Sequence, residues 1–452
     1  MIKSLYTRLV SSLLFPLHEK LKKHDTVKIR RALEKSQWLS TDEILTQQNI
    51  RLKRFIQHAI AEVPYYQNLF ANLDLTSHDI NSVNDLQKLP FLDKQVIRDN
   101  FEQLKANNAG VVSPFTTGGS SGTPLTFLLG NERVSHDVAE KWRATRWWDV
   151  DIGDKEVVAW GSPIELGAQD KVRILRDKLF RSTLIPAFDM NEKKILAFIE
   201  KIKTVRPKML FGYPSVFNLI ATTAKEHDID LTGIGIKVVF VTSERLYPYQ
   251  RENIEIQFGA PVANGYGGRD AGFIAHQCPQ GKMHISAEDI IVELVDKSGA
   301  NVPVGKQGEI VVTHLATADF PFIRYRTGDI ASMDTEPCQC GRGLPVLKEI
   351  EGRSTDFVVA ANGTILHGLS LIYILRELTQ ISEFKIVQES IEQTVVTVVP
   401  VEGAYDEGVK QIIIAGFKKR LGESVNIMVQ ISDKIEAEKS GKFRYVISKV
   451  ET

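Results

Sequence analysis

Cysteine is scarce, with three residues in a chain of 452. That is too few for the disulfide framework that staples small secreted domains, and it makes a reducing cytoplasm the expected location. Neither sign of charge is in excess: 56 Lys and Arg stand against 56 Asp and Glu. No overall field therefore draws the protein to nucleic acid, and no nucleic-acid partner is expected. No apolar run approaches the roughly 18–20 residues that span a bilayer. Internal repeats and low-complexity tracts are also missing. What remains is an ordinary globular composition, 43% apolar and 25% charged, long enough for two to four compact units.

The first residues, "MIKSLYTRLVSSLLFPLHEKLKK", carry Ile2, Leu5, Leu9 and Leu13 at helical spacing. Arg8, Ser11, Ser12 and Pro16 interrupt them, and no small-x-small site follows, so the segment does not read as a cleaved leader. It reads as a helix docked by these residues on the protein's own body. A helix lying on a membrane surface, or touching a polysaccharide-assembly partner, is the alternative. Residues 1–110 are mainly helical in pattern; "TDEILTQQNIRLKRFIQHAIAEVPYY" places an N-cap at Thr41 and stops before Pro64. From residue 111 strand-like runs ("LTFLLG", "EVVAWG", "KMLFGY", "IKVVFVT") alternate with amphipathic helices, which implies α/β layers. Residues 285–335 are denser in strands and predict an antiparallel sheet or a small β-barrel-like part. The pattern resets near residue 354, and two strands, a helix and a strand suffice for a compact α+β domain over 354–452. The expected organisation is thus a helical part (1–110), an α/β core with a β subdomain (111–353) and a smaller C-terminal domain (354–452).

The stretch "TTGGSSGTPLTF" (116–127) combines glycines with hydroxyls. Successive backbone N–H groups in such a turn surround anions, and Ser and Thr add donors. The stretch has no Walker lysine and no Gly-x-Gly-x-x-Gly, which disfavours a P-loop NTPase and weakens dinucleotide and kinase readings. Alone it fits an unliganded hairpin as well as a phosphate cradle. It leads into a strand with Leu125, Phe127 and Leu129 on one face. Three further segments follow in order: "NGYGGRDAG" (264–272), "FIRYRTGDIA" (322–331) and "SGKFRYVIS" (440–448). Together they offer an aromatic face, carboxylates and cations, which is what ATP chemistry requires.

In the order and spacing of these four segments the chain resembles the adenylate-forming superfamily, and within it the phenylacetate–CoA ligase group and its CapK-type branch of capsular polysaccharide clusters. The resemblance covers about residues 50–452. It implies a large α/β domain with a smaller mobile C-terminal domain. It also implies a two-step reaction: a small-molecule carboxylic acid attacks the α-phosphate of Mg·ATP, and coenzyme A or another nucleophile then displaces AMP. By the same resemblance Thr117, Gly118, Gly119, Ser120, Ser121, Gly122 and Thr123 would hold the β- and γ-phosphates. Tyr266, beside Gly267, would lie on adenine, Asp329 would accept from the ribose hydroxyls, and Arg326 would supply a cation. Lys442 would reach the α-phosphate and carboxylate, and Arg353 precedes the interdomain hinge. Three departures stand out. Leu125 replaces a lysine common after the loop's proline. Asp270 replaces the glutamate that ordinarily binds Mg²⁺, and Thr355 replaces a charged hinge residue. The last two leave room for an inactive scaffold of the same fold.

The only cysteines are Cys278, Cys338 and Cys340, and His284 lies six residues after the first. Three thiolates and an imidazole are the composition of a structural zinc site, with no position left open for catalysis; three unrelated buried thiols are the alternative. The acyl pocket is less legible. Trp160, Tyr213 and Phe217 suit an apolar pocket or the core, and Arg143 or Arg146 suits a polar acid or the surface. Transfer to an amine, hydroxyl or carrier in polysaccharide assembly competes with transfer to coenzyme A. A homodimer is an open alternative to a monomer.

Overall fold

The computed structural model describes the chain except residues 1–3, 117–124, 161–170, 188–189, 191, 352–356, 364, 402, 436–445 and 451–452. The chain divides into two compact units built from interleaved segments: 1–117 with 125–154 and 263–352, and 118–124 with 155–262 and 353–452.

The first unit is organised by antiparallel strands in the order Ile290–Val295, Gly308–His314, Phe322–Met333, Val346–Glu351, Met283–Ile285, Gly272–Gln277 and Val262–Gly268. They stand where an antiparallel sheet or small barrel was expected. A hairpin, Val112–Thr116 with Thr126–Gly130, frames the glycine-hydroxyl loop and pairs Thr116 with Thr126. Leu125, Phe127 and Leu129 are buried, while Thr126 is exposed, as the alternation predicts. They join a core with Leu52, Phe55, Phe320 and Phe322. The helix Thr41–Glu62 packs its apolar stripe there. Its N-cap is Ser40, one residue before the expected Thr41. The reason is a capping box: Glu43 N–H donates to Ser40 Oγ at 3.2 Å, and the Glu43 carboxylate accepts from Ser40 N–H at 2.8 Å.

The N-terminal helical stretch does dock on this unit, but by the opposite side from the one expected. Thr7, Val10, Phe15 and Glu19 are buried, whereas Leu5, Leu9 and Leu13 are exposed. A second departure concerns the helix Asn131–Trp147, whose buried stripe is polar: Arg133, His136, Glu140 and Arg143. Arg143 is 1% exposed and donates to Glu140 and Glu288 at 2.6 Å each. The sequence alternatives for Arg143, a substrate reader or a surface group, are both replaced by a buried structural role. Arg146 pairs with Glu34 at 2.9 Å. Nearby, His136 lies 2.8 Å from Asp289, which Arg51 also holds. Burial alone would raise the Asp289 carboxyl, but His136 and Arg51 outweigh it and hold the group at about 2.

The second unit contains parallel strands ordered Ser182–Pro186, Glu156–Trp160, Met209–Gly212 and Val238–Thr242. Near-continuous apolar runs such as "VVFVT" suit strands buried on both faces, and every residue of Val238–Thr242 is buried. Helices Glu192–Val205, Pro214–Glu226 and Pro248–Phe258 contribute to the same core. Phe217 is buried there, so of the three aromatic pocket candidates it is the core residue. Residues 358–446 form a separate core, with strands ordered Asn426–Ile431, Gln393–Pro400, Ile381–Ser390 and Val446–Ser448 and the helix Glu407–Leu421. The last short strand and the hairpin Phe357–Val359 with Ile365–His367 add to the elements expected from sequence.

Removing one member of a buried ion pair leaves its partner uncompensated. Arg143→Met is expected to cost about 3–5 kcal/mol in urea unfolding at neutral pH. Asp289 sits below its ordinary value in the fold, so its stabilisation is present above about pH 4 and is lost as pH falls towards 2. Asp289→Asn is expected to flatten that acid limb of the unfolding midpoint against pH.

Candidate active site

Two chain segments of the first unit exchange tyrosine–aspartate hydrogen bonds. Tyr266, on the strand Val262–Gly268, donates its phenol to Asp329 Oδ2 at 2.9 Å. Tyr325, on the strand Phe322–Met333, donates to Asp270 Oδ2 at 2.6 Å. Each segment thus offers one tyrosine and one carboxylate, and each tyrosine orients the other's acid. Asp329 is set by its own turn: its N–H donates to Thr327 Oγ1 at 3.1 Å, and Thr327 donates to Ile310 O at 2.9 Å. Asp270 Oδ1 accepts from Ala271 N–H at 3.1 Å. The sequence-predicted Tyr266 and Asp329 are therefore held by each other, and Asp270 by Tyr325, a residue the sequence did not single out.

Gly267 serves this arrangement by having no side chain. A Cβ there would lie 2.1 Å from the Gly272 carbonyl oxygen, so the close approach of the two strands requires glycine. Two positioning residues carry no clear sequence signal. Arg133 grips the turn from below, donating to the carbonyls of Arg269 at 3.2 Å and Asp270 at 3.3 Å while paired with Asp137 at 3.0 Å. Arg269 lies over Phe115 at 5.5 Å and donates to Thr116 O at 3.3 Å. The residue that opens the glycine-hydroxyl loop is thereby tied to the turn that carries Asp270. Thr117 to Thr123, Arg353, Thr355 and Lys442 lie outside the described residues. Arg326 is placed with Glu309, at 3.1 Å from its Nε, and over Phe91 at 5.3 Å.

In the second unit Trp160 and Tyr213 stack at 4.7 Å with ring planes 21° apart. Trp160 ends a parallel strand and Tyr213 follows the neighbouring one. Open α/β sheets bind ligands beyond the carboxyl ends of their strands, so this aromatic pair occupies the appropriate end for an apolar group.

The cysteines and His284 converge. Cys278 Sγ and Cys338 Sγ are 3.6 Å apart, Cys340 Sγ is 3.3 Å from His284 Nε2, and all four donor atoms lie within 4.8 Å of one another. Strand pairing of His284 with Val346 brings the two sequence-distant halves together. His284 Nδ1 faces Leu344 O at 3.1 Å, which leaves Nε2 as the lone-pair donor towards the sulfurs. Burial pushes His284 down to about 4, so its imidazole is neutral at pH 7. Burial holds Cys338 up at about 12, while Arg342 draws Cys340 below its ordinary value against the effect of burial. Such edges suit the tetrahedral S₃N set of zinc, with ligand bonds of about 2.0–2.3 Å.

Comparison with known proteins agrees with this geometry. The AMP-binding enzyme family matches residues 178–318, and the CapK C-terminal domain family matches 358–449. Protein CapK of Staphylococcus aureus is 24% identical over 437 residues, covering 96% of this chain and 94% of its own. Phenylacetate-coenzyme A ligase of Pseudomonas putida is 22% identical, covering 89% of this chain and 92% of its own. Among solved structures, 2-hydroxyisobutyryl-CoA ligase in complex with 2-HIB-AMP and CoA superposes with a TM-score of 0.65 at 20% identity, covering 91% of each chain. That likeness is one of fold. The two family matches and these relatives support an adenylate-forming ligase of the branch that contains CapK and the phenylacetate–CoA ligases.

Tyr325→Phe deletes the hydrogen bond to Asp270 and keeps the ring that packs on Phe322. The expected cost is about 1.5 kcal/mol in urea unfolding, the low end for a bond to a charged group because Asp270 is half-buried.

Proposed function

We propose that the protein is a cytoplasmic ligase that converts a small carboxylic acid and Mg·ATP to an acyl-adenylate and pyrophosphate. It then transfers the acyl group to the thiol of coenzyme A, releasing AMP. The observation that carries this reading is the Tyr266–Asp329 hydrogen bond. It sets an aromatic face and a carboxylate side by side, as adenine and a ribose diol require. Bringing two anions together is mainly a matter of position and charge neutralisation. Tyr266 packs on the base beside Gly267, and Asp329 accepts from the ribose hydroxyls. Residues Thr117 to Thr123, between the paired Thr116 and Thr126, hold the β- and γ-phosphates through backbone N–H groups and hydroxyls. Asp270 is an oxygen ligand of the kind Mg²⁺ takes, and Tyr325 keeps it aimed. Arg326 is neutralised by Glu309 and supplies no free charge to the nucleotide. Arg353 precedes the C-terminal domain, 354–452, whose movement delivers Lys442 to the α-phosphate and carboxylate. Trp160 and Tyr213 line the acyl side.

A second acceptor is favoured by one finding, the match of residues 358–449 to the CapK C-terminal domain family. In that reading the adenylate is passed to an amine, hydroxyl or carrier in polysaccharide assembly. We also propose that Cys278, His284, Cys338 and Cys340 hold a structural zinc ion that pins the paired strands.

ATP–pyrophosphate exchange across aryl, fatty and amino acids is expected to respond to one acid class. Coenzyme A is then expected to accelerate AMP release. Lys442→Ala should lower exchange by at least about 100-fold, the scale of losing a positioned charge. Exchange with none of the acids would favour an inactive scaffold and sink the reading. Independently, metal analysis after dialysis should give about one zinc per chain, lost with a lowered Tm in Cys278→Ser. Less than about 0.2 zinc per folded chain would refute the metal assignment.

A further inference from the structure

The N-terminal helical stretch runs without a break from Leu5 to Leu21, with a π-helical turn at Val10–Leu14. Its inward face is firmly held. Thr7 Oγ1 donates to Asp154 Oδ1 at 2.7 Å, and Phe15 meets Trp142 edge-on at 5.0 Å. Val10 packs so closely on Gly153 that a Cβ there would sit 2.5 Å away. Glu19 is buried and accepts from Thr26 Oγ1.

The outward face is a row of five leucines, Leu5, Leu9, Leu13, Leu17 and Leu21. They are 86%, 44%, 56%, 53% and 77% exposed. A repeat of four advances by about 40° per step around an α-helix of 3.6 residues per turn. The wider i→i+5 turn at Val10–Leu14 winds the row back, so the leucines stay on one side. Burying an apolar stripe is the usual reason for a helix to be amphipathic, yet here the stripe faces away from the fold.

Charge tells what would cover it. The chain as a whole is neutral, but its first 35 residues carry nine Lys and Arg against Glu19, Asp25 and Glu34; Glu19 and Arg30 are buried, which leaves eight cations against two acids. Beside the C-terminal end of the leucine row, this stretch and the helix Thr26–Ser36 border a groove of about 730 Å³. Lys20, Lys23, Lys28, Arg31 and Lys35 line it and are exposed, against one exposed acid, Asp25. An apolar stripe adjoining a cluster of cations matches a surface with hydrocarbon below and negative headgroups above. A protein partner would need an acidic rim around an apolar trough; an anionic bilayer has both everywhere.

We propose that the Leu5–Leu21 stretch seats the protein on anionic lipid, with the leucines in the acyl boundary and the basic groove against phosphate headgroups. This goes beyond the ligase reading and does not depend on it.

The test is flotation of the full chain with vesicles of 30% phosphatidylglycerol in phosphatidylcholine, and with phosphatidylcholine alone. Binding is expected to the anionic vesicles and to fall at least tenfold on the neutral ones. Leu9→Glu/Leu13→Glu/Leu17→Glu should lose at least tenfold while keeping the near-UV circular dichroism of the parent. Lys20→Glu/Lys23→Glu/Arg31→Glu should lose binding and its salt dependence. No binding by the parent, or equal binding by the leucine variant, would overturn the proposal. So would sedimentation showing that the leucine changes split a dimer into monomers, since the stripe would then be a self-interface.

Discussion

The first unit depends on a set of charges buried along one helix. Arg143 holds Glu140 and Glu288 and reaches the Leu33 carbonyl at 3.4 Å. His136 holds Asp289, and Arg133 holds the turn at Arg269 and Asp270. Arg133 and Arg143 are ten residues apart, about 15 Å along the axis, so one rigid rod links the turn at Arg269 and Asp270 to the N-terminal helices. Ion pairs of this kind add little net stability over an apolar core, because desolvation offsets their attraction. What they supply is a requirement for one arrangement: each charge left without its partner would be costly, and slippage of the helix by a turn would strand several together.

That demand for a single register reaches the candidate site. The two Tyr–Asp bonds are reciprocal, so neither segment can shift without misaligning both carboxylates. The glycine at 267 allows the close strand approach on which the exchange rests. Arg269 extends the same linkage to the base of the glycine-hydroxyl hairpin. The hairpin strands and the turn that carries Asp270 are therefore coupled twice, through the Arg269–Thr116 contact and through the shared core of Phe127, Phe322 and Tyr325.

Much of this was legible in the sequence where a local rule decides the outcome. Alternation in "LTFLLG" identified Leu125, Phe127 and Leu129 as a buried face, and the ordered motifs pointed to Tyr266, Asp270 and Asp329 before they were seen to share hydrogen bonds. The converging Cys and His residues were visible because their types are rare and their chemistry narrow. Other features were hidden because tertiary context overrides pattern. The leucine row was expected to face inward, but the buried side of that helix is made by Thr7, Val10, Phe15 and Glu19. Arg143 was weighed as a substrate reader because no one-dimensional rule marks a buried arginine whose acids lie 3 and 145 residues away. The three-residue strand Val446–Ser448 exists only through its parallel pairing with Ile381–Ser390, which local propensity does not encode.

The placement of aromatics has an optical consequence. Of five tryptophans in the chain, Trp38, Trp142, Trp147 and Trp148 belong to the first unit and Trp160 alone to the second. Trp147 lies 5.9 Å from His284 and has the Arg342 guanidinium 4.4 Å over its ring. Trp160 stacks on Tyr213 at the proposed acyl side. Intrinsic emission therefore sums two contributions, one from the four indoles of the first unit and one from Trp160 beside the parallel sheet. Replacing Trp160 with phenylalanine would isolate the first without an added label.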